Sequence, residues 1–134
     1  MTTDTTLRVE SRFCIELGVE LLDHGPGHAV LRCVLQEQHG NRHGNAHGGM
    51  IATLLDTAMG LAVRSDGTTD NVGTVSLNLH YLRPARGTVF AHGLVRKAGR
   101  TLSFCEAELR DDADGVLATG SAVFAVAPRT GGAH

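Results

Sequence analysis

A chain of 134 residues has room for one domain with a single hydrophobic core. A net charge of −2, a pI near 6.4, no tryptophan and 4% aromatic residues give neither the basic footprint nor the stacking surface that nucleic acid requires. No stretch approaches the roughly 20 apolar residues of a membrane-spanning helix, and the opening MTTDTTLRVESRF has no apolar signal region, so the chain reads as cytoplasmic with no membrane partner.

Residues 1–10 are polar and read as a flexible end, after which SRFCIELGVELLDHG gives a short apolar segment. The pattern predicts a helical turn at 11–17 running into a strand at 18–24. Gly25-Pro26-Gly27 marks a turn, and HAVLRCVLQ at 28–36 has strand composition, so the two strands read as a hairpin. Cys14, Cys33 and Cys105 are odd in number, widely spaced and set in apolar runs, as expected of reduced core residues in an intracellular protein. Nothing in that pattern supports a catalytic cysteine.

From 39 to 49 runs a short internal repeat, HGN-R, HGN-A, HGG-M, which spaces His39, His43 and His47 four residues apart. On a helix the three imidazoles would share a face and invite a metal. Gly40, Asn41, Gly44 and Asn45 favour a loop instead, and no Cys or carboxylate nearby completes a coordination sphere. No metal site and no cofactor is therefore assigned.

The stretch that follows, GGMIATLLDTAMGLAVR, is a long helical pattern in which Asp56 is the one charge between Gly48 and Val63. A helix apolar almost all round is buried, which predicts that Asp56 sits inside the protein. On a helical wheel the face opposite Asp56 holds Ile51, Leu54, Ala58, Leu61 and Ala62, and its own side holds Gly49, Ala52, Thr53, Met59, Gly60 and Val63. Ala52, Thr53 and Gly60 are small and leave room for a ligand. A carboxylate kept in such a place points to a general base or a nucleophile. His47-Gly48-Gly49 opens the helix with amide groups that lack intrahelical acceptors, a ready oxyanion hole. Gly48 and Asp56 lie about 12 Å apart along one helix at about 1.5 Å rise per residue. If both act on one carbonyl, the Asp must come from a second copy, which predicts a two-fold dimer with two composite sites.

SDGTTDN reads as a loop, and GTVSLNLHYLRP alternates, with Val75, Leu77, Leu79 and Tyr81 on one face and Thr74, Ser76, Asn78 and His80 on the other. Strands at 88–97, 101–111 and 115–127 follow, and PRTGGAH from 128 reads as a loose tail. The expectation is an α+β fold: one antiparallel sheet, built from a hairpin and a four-stranded meander, wrapped around a single central helix.

These residues resemble the hotdog-fold acyl-CoA thioesterases of the phenylacetate-pathway and 4-hydroxybenzoyl-CoA thioesterase type. The resemblance covers roughly residues 15–126, as one domain spanning 1–134, and rests on N-R-x-G-x-x-H-G-G at Asn41 to Gly49 with an Asp seven residues on, at Asp56. It implies that the Gly48 N–H polarises the thioester carbonyl with help from Asn41, that His47 lies beside the thioester, and that Asp56 of the partner chain activates water or attacks directly. Asn41 is preferred to Asn45 because it stands six residues before His47, as in the family pattern. The family's hydroxyl residue on the next strand falls on Thr74. Its CoA-contacting segments fall on YLRPAR, with Tyr81, Arg83, Pro84 and Arg86, and on KAGRT, with Lys97, Gly99, Arg100 and Thr101. Turns carrying positive charge and open amides suit a phosphate-bearing ligand.

The function implied is hydrolysis of an aryl- or medium-chain acyl-CoA to free acid and CoA, by a homodimer that assembles further as a dimer of dimers. A hotdog hydratase or dehydratase is the alternative enzyme. A non-catalytic acyl-CoA-binding module is the alternative from another class; it would need no Asp at 56 and would usually carry an appended DNA-binding region, for which 134 residues leave no space.

Overall fold

The computed structural model of the protein describes residues 6–130. In chain order it contains α1 (Arg12–Glu16), β1 (Glu20–Gly25), β2 (His28–Val34), a 3-10 turn (Glu37–His39), α2 (Gly48–Arg64), β3 (Thr69–Tyr81), β4 (Thr88–Ala98), β5 (Leu102–Asp111) and β6 (Val116–Pro128). All the sheet pairings are antiparallel, and α2 packs across the sheet in the hotdog arrangement that the sequence suggests. Among the described residues, no helix is long and apolar enough to cross a membrane.

Period-2 alternation explains the sheet. Ala29, Leu31 and Cys33 of β2, Val89 and Ala91 of β4, Cys105, Ala107 and Leu109 of β5, and Ala118, Ala122 and Phe124 of β6 are buried against the helix. Most are small, so the backbone of α2 comes close to the sheet. The closest approach is at Gly93 of β4, where a Cβ would run into the Ala58 carbonyl of α2, so a glycine is needed at that crossing.

The expected meander holds only for β4, β5 and β6. The strand order is β1-β2-β4-β5-β6-β3, so β3 pairs with β6 at the far edge while β4 pairs with β2. The connection at 82–87 carries the chain between them over one end of the sheet. Leu82 and Arg83 N–H groups donate to Leu117 O, Ala46 N–H donates to Ala85 O, and Leu35 N–H donates to Gly87 O.

Two further expectations change. The buried stripe of α2 is wider than the wheel suggests, because a curved sheet covers more of the cylinder: Leu55, Met59 and Val63 join the core. The uncovered strip is Gly49, Ala52, Thr53, Asp56 and Thr57, and Asp56 is half-buried in the protomer rather than enclosed. The expected tails are also shorter. Leu7 and Val9 pack against the core, Glu10 accepts from Arg64 at 2.7 Å, and Arg129 N–H donates to Thr68 O. The rest of those tails lies outside the described residues.

Candidate active site

The approach to α2 is a hydrogen-bonded loop. Asn41 N–H donates to Asn45 O at 2.7 Å, and Asn41 Oδ1 accepts from the N–H groups of His43 (2.9 Å) and Asn45 (3.2 Å). An asparagine that folds its carboxamide onto the next residues is a standard turn builder. His47 N–H donates to His39 O, and His47 then serves as the N-cap of α2. Its Nδ1 accepts from Gly49 N–H at 2.8 Å, while Met50 and Ile51 N–H both donate to His47 O. Gly48 N–H is the first-turn amide left without an acceptor among the described residues. Because Nδ1 accepts, the imidazole proton of neutral His47 sits on Nε2.

Tyr81, at the end of β3, donates its hydroxyl to Gly48 O at 2.9 Å. Asn41, Gly48, Ile51, Tyr81, Arg83 and Pro84 line one open cleft of about 320 Å³. The two arginines of this segment already hold protein groups. Arg83 Nε donates to Val116 O at 3.1 Å and its guanidinium stands 4.0 Å from the Asp111 carboxylate. Arg86 donates to Asn45 Oδ1 and, at 3.5 Å, to His43 O.

Asp56 lies two turns further along α2, where Thr74 Oγ1 donates to its Oδ1 at 2.8 Å. Simple alternation groups Thr74 with Ser76, Asn78 and His80, opposite Leu77 and Leu79, whereas the resemblance puts it at the site. The difference is a bulge: Thr74 pairs with Phe124 and Ser76 with Val123, so Val75 is an extra residue, 61% exposed, and the side chains change face across it. A cavity of about 370 Å³ opens beside Asp56, walled by Phe13, Cys14, Thr53, Gly60, Leu61 and Asn71. Thr53 and Gly60 are there as expected. The contribution of α1 and of Asn71 has no signal in the sequence, since a short segment far along the chain and an asparagine in a loop-like stretch carry no pattern.

The segment KAGRT, which the resemblance assigns to CoA, lies near Thr74. The register Ala98 to Ser103, Ser103 to Phe124, and Phe124 to Thr74 puts the β4–β5 turn in line with Thr74. Gly99 N–H closes the turn on Leu102 O, and Thr101 O accepts from Val126 N–H. Lys97 and Arg100 are exposed. Within one chain, then, Asn41, Gly48, His47 and Tyr81 to Arg86 gather at the N-terminal end of α2, whereas Asp56 with Thr74 lies at its middle, in register with the turn from Lys97 to Thr101. The seven residues from Thr74 to Tyr81 span about 23 Å at about 3.3 Å each.

The histidine repeat is dispersed. His39 Nδ1 accepts from Gln36 N–H, His43 Nε2 accepts from Arg42 Nε, and His47 caps the helix. Among the described residues no three His, Cys, Asp or Glu side chains converge as a metal site would require. All three cysteines are buried and free, and burial raises the thiols of Cys33 and Cys105 above their ordinary value, which suits packing and not nucleophilic attack.

Residues 43–118 match the family described as the thioesterase superfamily. A candidate esterase of Halobacterium salinarum is 43% identical over 104 residues, covering 73% of this chain and 69% of that one. Among solved structures, zebrafish thioesterase superfamily member 2 superposes with a TM-score of 0.76 at 32% identity over 87% of each chain. The PaaI protein of the Escherichia coli phenylacetic acid degradation operon superposes with a TM-score of 0.77 at 25% identity, over 84% of this chain and 86% of its own.

Proposed function

Since this chain belongs to the thioesterase superfamily, we propose that it is an acyl-CoA thioesterase that cleaves an aryl- or medium-chain acyl-CoA to the free acid and CoA. Membership supports thioester hydrolysis in general; the acyl group and the roles of residues are what the resemblance implies, and the geometry below supports them. One observation carries the reading. A single helix presents an unbonded Gly48 N–H at its positive end and a hydroxyl-aligned carboxylate at Asp56.

The thioester oxygen accepts from Gly48 N–H, where the helix dipole favours the charge that develops as the carbonyl is attacked. Asp56 of the partner chain supplies the other half. As general base it takes a proton from water while the water oxygen bonds to the acyl carbon; as nucleophile it forms an anhydride that water then opens. Either way the C–S bond breaks, the CoA thiolate takes up a proton, and the acid is released. His47 Nε2–H lies on the oxyanion side, beside the thioester. Lys97 and Arg100, with the amide of Thr101 on a turn that Gly99 closes, suit the CoA phosphates. Tyr81, Arg83, Pro84 and Arg86 form the wall along which the rest of CoA runs.

The composite site needs a homodimer, and two features support one. β3 is an edge strand carrying exposed Val72 and Val75, at 65% and 61%, and an apolar edge left open invites pairing. Beside it runs the uncovered strip of small residues on α2. A further pairing of dimers would complete the assembly.

The test is CoA release from phenylacetyl-, benzoyl-, hydroxybenzoyl- and straight-chain acyl-CoAs by the wild type and Asp56→Asn. Turnover should almost vanish in the variant, with dimerisation and CoA binding retained; full activity in Asp56→Asn would overturn the role. Mixing Asp56→Asn and Asn41→Ala chains should restore about a quarter of wild-type activity, since half the dimers are mixed and each carries one intact site. Proven mixed dimers without activity would refute a shared site. Binding of every ester without cleavage would make the chain a binding module.

A further inference from the structure

The cavity beside Asp56 contains a polar atom that the protomer leaves unsatisfied. Asn71 lies on β3 at the first of its two bulges, and its carboxamide rests over α2 at Gly60, where a Cβ would stand 2.8 Å from Asn71 Nδ2. Asn71 Oδ1 is buried and has no hydrogen-bond partner among the described residues. An unpaired buried acceptor is costly and calls for a partner. Val9, Phe13, Leu61 and Phe124 give the cavity an apolar part, Glu10, Ser11, Thr53, Thr57 and Arg64 give it a polar part, and the volume of about 370 Å³ accommodates a group of aryl or short-chain size.

We propose that this cavity receives the acyl part of the thioester, and that Asn71 is a specificity-determining residue whose carboxamide accepts a hydrogen bond from a donor, a hydroxyl or an N–H, carried on the acyl group away from its carbonyl. The inference rests on the thioesterase reading. Three observations meet here: the Asp56 carboxylate lines the same cavity, its apolar side chains suit hydrocarbon, and Asn71, whose buried Oδ1 is unpaired among the described residues, is part of its wall. The terminal torsion of an asparagine is broad, so a small rotation aims the oxygen into the space without moving β3. An acyl group without a donor leaves that acceptor unpaired, and sites built around a hydrogen bond discriminate strongly against such analogues.

The experiment measures kcat/KM on two matched pairs, phenylacetyl-CoA with 4-hydroxyphenylacetyl-CoA and hexanoyl-CoA with 6-hydroxyhexanoyl-CoA. The enzymes are the wild type, Asn71→Thr and Asn71→Val. The two variants are nearly isosteric, both suit a strand, and they differ in one hydroxyl. The wild type should favour the hydroxylated member of at least one pair by about tenfold. Asn71→Val should lose that preference and Asn71→Thr should keep part of it. Equal ratios in the two variants, or a wild-type ratio in Asn71→Val, would overturn the proposal, as would equal loss of dimer in both variants with the ratio unmoved. Wild-type hydrolysis of both members at the same rate overturns the role of Asn71 alone, no hydrolysis of these four esters overturns this inference, and no hydrolysis of the full acyl-CoA panel removes the thioesterase reading with it.

Discussion

Replacing Thr74 by valine removes one hydroxyl and keeps the branched shape that β3 favours. That hydroxyl donates to Asp56 Oδ1 across 2.8 Å, and it fixes the carboxylate relative to the helix that presents it. Hydrogen bonds to charged groups contribute about 1.5–3 kcal/mol, and a factor of ten in rate corresponds to about 1.4 kcal/mol. The pair remains open to water in the protomer, so the lower end of that range applies and kcat should fall by about ten- to thirtyfold. The assay is steady-state CoA release on the best substrate, with Thr74→Ser alongside. Serine keeps the donor and should stay within about threefold of wild type, since only a methyl group is lost. KM and the urea midpoint should move little, because the bond sits at the surface of the cavity and not in the core. An unchanged kcat in Thr74→Val refutes the aligning role. Equal loss in valine and serine also refutes it, by tracing the effect to packing.

Tyr81→Phe removes the bond to Gly48 O and should lower kcat about two- to tenfold, without loss of fold, in the same assay. Gly93→Ala places a Cβ against the Ala58 carbonyl, backbone that cannot step aside, and should cost about 1–3 kcal/mol or more in urea unfolding. A wild-type midpoint would mean that α2 does not press on β4 there. His92 titrates below the ordinary histidine value of 6.5, through burial first and the nearby Arg110 charge second. The unfolded chain therefore binds that proton more readily, so stability is full above pH 6.5 and declines as pH falls from there through the depressed value. Urea midpoints against pH should show that slope, and His92→Gln should flatten it.

Much of the site was legible because one absence is easy to read. A seventeen-residue helix with one interior charge told that α2 would be wrapped and singled out Asp56 as the candidate catalytic group. The glycine-rich entry told which end would offer free amides. What escaped were features that depend on pairing between distant segments. Alternation groups Thr74 with Ser76, Asn78 and His80 because a bulge of one residue leaves no mark in the order of side chains; only the register against Phe124 and Val123 reveals it. The crossover of β3 to the far edge escaped for a related reason, since six connecting residues read equally well as a hairpin loop or as a bridge over the sheet end. Asp56 being half-buried follows from the same limit, because a wheel describes one helix and the burial of its last strip depends on what covers it.

The polar side chains around Gly48 divide in a way that motif spacing alone would miss. The proposed oxyanion donor is a backbone N–H, which among substitutions only proline removes, so its effectiveness depends on how rigidly the first turn of α2 is held. Asn41 ties the approach loop to itself, His47 takes up the amide of Gly49, Tyr81 grips Gly48 from the carbonyl side, and Arg86 clamps the loop through Asn45 and His43. Each bond is on the protein and leaves the Gly48 N–H free. Residues that resemblance would assign to substrate contact thus have a prior role in positioning one donor. Arg86 is the clearest case: its guanidinium is already engaged, whereas Lys97 and Arg100 stand exposed at the β4–β5 turn. In the proposed composite site the exposed cations that meet the ligand come from the chain that contributes Asp56, because the register places the β4–β5 turn in line with Thr74, the donor to that Asp56.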